Sequence, residues 1–126
     1  MKIAITSTGK TLESDVDPRF GRAAYFIIVD TDTMEFNAAE NANVAVGGGA
    51  GVGSAKTVID AGAQAVLTGN CGPNAHQTLA AAGVKLYTGL QGTVAQVLEQ
   101  FKTGKFASAS APNVQSHFGM GPKQQD

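Results

Sequence analysis

The chain has 126 residues, a mass of 12.8 kDa, 43% hydrophobic residues and a formal net charge of −1. That is enough for one domain with one core, and too little positive charge for general nucleic-acid binding. No apolar run is long enough for a membrane span, the opening "MKIAIT" lacks a secretory apolar stretch, and one cysteine cannot form an internal disulfide, so a cytoplasmic monomer is expected.

Lys2–Thr6 alternates like a strand, and the polar stretch Ser7–Arg22 holds "DPRFGR" near its end. "AAYFIIVD" (Ala23–Asp30) is apolar on both faces, which predicts a central, covered strand. "TDT" predicts a turn into "MEFNAAE", a weaker strand antiparallel to the one before it. After "GGGAGVG", Ala55, Val58 and Ile59 recur at helical spacing, and Gly62 is a natural C-cap. From Ala63 the pattern strand, turn, helix repeats: "AQAVLTG", "PNAHQTLAAAG", "VKLYTG", "TVAQVLEQFKTG". Gly83 and Gly104 end their helices, and Thr93 suits an N-cap because its hydroxyl accepts from an unpaired amide. Strands alternating with short helices predict parallel βα units in a layered α/β domain. Residues 107–126, with Pro112, Gly119, Gly121 and Pro122, predict an extended or disordered tail.

"GGGAGVGSAKT" imitates a phosphate loop and fails its tests. A Walker A loop requires glycines where this chain has Ala50 and Ala55, and G-x-G-x-x-G breaks at Ser54 or Lys56. Two readings stay open: a loop that lets a helix begin close against the sheet, or amides bared to another anion. "DPRFGRA" (Asp17–Ala23) spaces Arg19 and Arg22 around Phe20 and Gly21. Both arginines are either solvated or a pair of permanently charged forks for a multivalent anion.

"LTGNCGPNAHQTL" (Leu67–Leu79) holds the only cysteine in the chain and one of its two histidines. With a strand ending at Thr68 and Pro73 in the first helical turn, Cys71 falls at a carboxyl edge of the sheet, where open α/β sheets bind ligands. A helix N-terminus there favours thiolate. One Cys and two His cannot close a structural zinc site. A Cys71–His76 nucleophile pair, a metal site and a buried cysteine beside a surface histidine all remain open. In the tail, His117 and Met120 are either soft metal ligands or incidental.

Taken together, "MKIAIT", "DPRFGRA", the helix after "GGGAGVGSAK" and "AVLTGNCGPNAHQTLAAAGVKLYTG" resemble the dinitrogenase iron–molybdenum cofactor biosynthesis family. The likeness runs in order over residues 1–106, and single-domain length with no Cys-x-x-x-Cys-x-x-Cys module makes the chain look like the family's stand-alone type. The resemblance implies a three-layer α/β/α domain, a ribonuclease H-like motif with a mixed five-stranded sheet. It implies a non-catalytic carrier or scaffold for an anionic metal–sulfur cluster, held non-covalently. That cargo is a molybdenum–copper sulfide or an iron–molybdenum cofactor precursor, and the implied partner is a P-loop ATPase or a cluster-accepting protein. Arg19 and Arg22 match the family's R-F-G-R run. A polyanion needs dispersed positive partners, and two glycine-rich helix starts add backbone amides: Gly49 and Gly51, then Asn70 and Gly72. Cys71 and His76 are the candidate metal ligands, and a protonated His76 adds charge at lower pH. The rival expectations are a small cysteine-dependent enzyme and a protein-interaction module without a metal ligand.

Overall fold

The structure is a computed structural model that describes residues 1–42 and 50–104. Gly49 and the expected tail over 107–126 lie outside the described residues.

Eight elements follow in the expected order. They are β1 (Lys2–Ser7), β2 (Tyr25–Asp30), β3 (Phe36–Glu40), α1 (Ala50–Asp60), β4 (Ala65–Leu67), α2 (Pro73–Ala81), β5 (Lys85–Tyr87) and α3 (Val94–Lys102). The strands form one mixed sheet in the order β3-β2-β1-β4-β5. β2 runs antiparallel to β1 and β3, with Ile5 opposite Ile27 and Ile27 opposite Ala38. β4 runs parallel to β1 and β5.

Alternation along the strands divides the core in two. Ala4, Phe26, Ile28, Val66 and Leu86 pack with Ala55 and Val58 of α1 and Ala75 and Leu79 of α2. Ile3, Ile5, Ile27, Val29, Ala65 and Leu67 pack with Val94, Val97 and Leu98 of α3. This is the three-layer α/β/α arrangement that the resemblance implied. Burial of Phe26, Ile27, Ile28 and Val29 explains the run that is apolar on both faces: β2 lies inside the sheet with helices on either side.

Three glycines predicted as helix ends, Gly62, Gly83 and Gly104, have φ of 86°, 77° and 74°. Thr93 caps α3 through a reciprocal box. Its hydroxyl accepts from the Gln96 amide at 3.1 Å, and the Thr93 amide donates to the Gln96 side chain at 2.8 Å. The helix after the glycine run starts earlier than Ala55, at Ala50, and so takes in Gly51 and Gly53. Helix propensity opposes this by about 1 kcal/mol per glycine, and close packing at Gly51 offsets it. Among the described residues, no helix is long and apolar enough to cross a membrane.

Candidate functional site

The carboxyl ends of β1, β4 and β5 and the amino end of β2 share one edge of the sheet. Between β1 and β4 the chain leaves in opposite directions, to β2 on one side and β5 on the other. Such a switch point opens a crevice in α/β sheets.

The loop after β1 folds back along its own strand. Ser7 bridges to Val16, and the Asp17 amide donates to the Thr6 carbonyl at 3.0 Å. Asp17 is buried, and its carboxylate accepts from the Arg19 amide at 3.0 Å, Arg19 Nε at 3.3 Å and the Ala24 amide at 3.3 Å. This is the turn chemistry of an Asp before proline: the side chain bonds backbone two residues on. The Thr6 hydroxyl donates to the Asp17 carbonyl at 2.8 Å and lies 2.8 Å from the buried Thr68 hydroxyl, tying the loop to the end of β4.

The second loop, after β4, is stitched to the first. Arg19 and Asn70 form a parallel bridge, the Phe20 amide donates to the Asn70 carbonyl at 3.0 Å, and Asn70 Nδ2 donates to the Pro18 carbonyl at 3.0 Å. Only a residue without a side chain fits before Asn70, because a Cβ on Gly69 would sit 2.7 Å from Pro18 Cα. The two segments that the sequence marks as separate candidates are therefore one surface.

A third segment closes on them. A Cβ on Gly21 would come 3.0 Å from both Cα and N of Gly51, and one on Gly51 would come 3.3 Å from the Ala75 Cβ. The arginine loop thus rests directly on the first turn of α1, which rests on the first turn of α2. Ser54 Oγ donates to the Gly21 carbonyl at 2.9 Å, and Asn41 Nδ2 donates to the Gly21 and Ala23 carbonyls at 3.2 and 2.8 Å. Of the two readings of the glycine run, close approach accounts for Gly51.

Arg19 keeps 63% of its side chain exposed, and Arg22 is exposed. Gly72 caps α2 without a side-chain hydrogen bond, Pro73 follows, and the half-buried His76 lies in the first turns. Cys71 turns the other way. It is 1% exposed, packs in the core cluster that includes Phe20, Ala75 and Leu79, and its Sγ lies 3.7 Å from the Gly72 carbonyl. Burial pushes its thiol up to about 12. The expectation that the helix N-terminus favours thiolate is thereby corrected: loss of water outweighs the helix dipole. Among the described residues no group of three or more His, Cys, Asp or Glu side chains gathers in a metal-binding cluster.

Sequence reasoning missed Asp17, Thr6, Thr68, Asn41 and Ser54, which hold the site together. Asp17 had a visible signal in the Asp-Pro dipeptide. The other four are polar side chains at strand ends or on a helix, and only the fold shows what they reach.

The sequence pattern of the dinitrogenase iron-molybdenum cofactor family matches residues 1–104. The apo form of the orange protein from Desulfovibrio gigas superposes with a TM-score of 0.87 at 42% identity, covering 89% of this chain and 95% of that one. A Thermotoga protein described as of the NifB kind superposes with a TM-score of 0.79 at 36% identity, covering 91% and 98%. An uncharacterized protein of Methanocaldococcus jannaschii is 31% identical over 108 residues, which span 83% of this chain and 88% of that protein. The match runs through the whole sheet, all three helices and both loops of the site, and the chain belongs to the dinitrogenase iron-molybdenum cofactor family.

Proposed function

We propose that this protein is a non-catalytic carrier or scaffold that holds an anionic metal–sulfur cluster at the carboxyl edge of its sheet. Family membership ties the chain to the biosynthesis or binding of such clusters. The observation that carries the finer reading is the Arg19–Asn70 bridge, which sets the arginine loop beside the first turn of α2. The loop that carries two permanently charged guanidinium groups and the start of α2 then lie side by side. A cluster brings its own sulfides, so dispersed positive partners hold it better than a single thiolate.

The cargo is a molybdenum–copper sulfide or an iron–molybdenum cofactor precursor, and the recipient is a P-loop ATPase or another cluster-accepting protein. Cys71 and His76 stand behind the arginines in this reading. A bond from Cys71 Sγ requires the start of α2 to open, because the sulfur is enclosed. The same burial weighs against a cysteine-dependent enzyme, whose nucleophile must be a thiolate within reach of substrate.

Mixing the protein with tetrathiomolybdate and a copper(II) salt, desalting, and recording metal content and visible spectrum tests the proposal. A coloured complex with a fixed metal-to-protein ratio is expected. A colourless, metal-free protein after desalting overturns it.

A further inference from the structure

We propose that Asp17 is a positioning residue for anion capture: from inside the fold it sets the orientation of Arg19 and the path of the chain that carries Arg22. The inference rests on the cluster-binding reading above. On charge alone Asp17 is misplaced, since a carboxylate beside an anion site repels the cargo. Its geometry explains its presence. The buried carboxylate accepts the Arg19 amide, Arg19 Nε and the Ala24 amide, so its partners bracket the R-F-G-R run from both ends.

Arginine has a long side chain with much rotamer freedom, and an anion that orders it must offset that entropy. Asp17 removes part of the cost before cargo arrives. It engages Nε, on the inner side of the guanidinium, and the side chain remains 63% exposed. The two Nη groups stay outside that bond and supply the outer face of the fork. Asn41 and Ser54 fix Gly21 and Ala23 within the same segment through backbone carbonyls. Asp17 combines loop closure with a bond to the Arg19 head, at Nε.

The sign of one substitution separates positioning from simple electrostatics. Asp17→Asn removes a negative charge next to the anion site, so electrostatics alone predicts tighter binding. Positioning predicts weaker binding, because one carboxylate oxygen becomes an NH2 that meets N–H donors. The experiment measures retention of the tetrathiomolybdate–copper complex by wild type, Asp17→Asn, Arg19→Ala and the double variant, each below its melting temperature. Asp17→Asn is expected to weaken retention roughly tenfold, the worth of one charge-assisted hydrogen bond. It is expected to add little once Arg19 is already alanine.

Equal or tighter retention by Asp17→Asn overturns the inference, and so does a full further loss in the Arg19→Ala background. If wild type itself retains nothing, the cluster reading fails and this inference fails with it. Should Asp17→Asn not fold, the wild-type protein still decides. The chain has only two arginines, so two Nε–H resonances are expected in a nitrogen–proton NMR spectrum. Arg19 should show a slowly exchanging Nε–H at neutral pH before any cargo is added. Rapid exchange at Arg19 overturns the proposal.

Discussion

At Cys71 two physical effects oppose each other. The start of α2 lies next to it and stabilises a thiolate, whereas enclosure among Phe20, Ala75 and Leu79 removes the water a thiolate needs. Enclosure wins, and the thiol stays protonated up to about 12 against an ordinary 9.0. The consequence for stability has a definite sign. The unfolded chain releases the proton near 9.0 and the folded chain keeps it to about 12, so the folded state binds more protons between those values. Stability contributed by the neutral thiol is present in full below 9.0 and is lost as pH rises toward 12. Urea unfolding across that range should show wild type losing more stability than Cys71→Ala. Parallel curves would show that Cys71 is not enclosed. Alkylation at pH 8 should likewise be slow in the folded protein and fast in urea, as followed by mass spectrometry. The sequence placed Cys71 at the correct edge of the sheet, but the direction it faces depends on residues that meet only in the fold.

Elements were legible where the signal is local. Gly62, Gly83 and Gly104 stop helices by adopting positive φ, and Thr93 starts one with a capping box, all within a few residues of each helix. The start of α1 was not legible, because Gly51 belongs in that helix only on account of Gly21 and Ala75, which are distant in sequence. Two glycine substitutions separate these kinds of information. Gly83 has φ of 77° and open space where a Cβ would go, so Gly83→Ala should cost about 1 kcal/mol from backbone strain alone and leave cluster retention unchanged. At Gly69 the new methyl group meets the Pro18 backbone at 2.7 Å, so Gly69→Ala forces the two site loops apart. It should cost about 1–3 kcal/mol, the usual range for overpacking, and should weaken retention as well. Thermal melting and desalting of the reconstituted variants check both statements. Retention lost by Gly83→Ala, or unaffected by Gly69→Ala, would contradict this division between strain and site geometry.

At the scale of the molecule, a net charge near zero makes attraction to a polyanion a local matter. Arg19 and Arg22 are both exposed, and exposed charges are screened over roughly 8 Å at physiological ionic strength. Retention should therefore weaken steadily as salt rises. Replacing both arginines with alanine should lower retention and flatten that dependence in a protein that still folds. Its melting temperature should fall modestly, through loss of the Arg19 bond to the buried Asp17. An unaltered salt response in the double variant would assign the attraction to other groups.

The layered architecture and candidate segments could be read from periodicity, glycine ends and an ordered likeness to a family. Their union could not, because the Arg19–Asn70 bridge joins positions far apart in sequence through backbone atoms that no residue type announces. The central claim is that this joined edge is where the cluster sits. A nitrogen–proton NMR titration of the wild-type protein with tetrathiomolybdate and copper(II) tests it most directly. The account predicts that perturbed amides concentrate at Arg19–Arg22, at Gly51 and from Asn70 to His76. Perturbations centred instead on the opposite end of the sheet, at Lys2, Asp30 and Phe36, would contradict it.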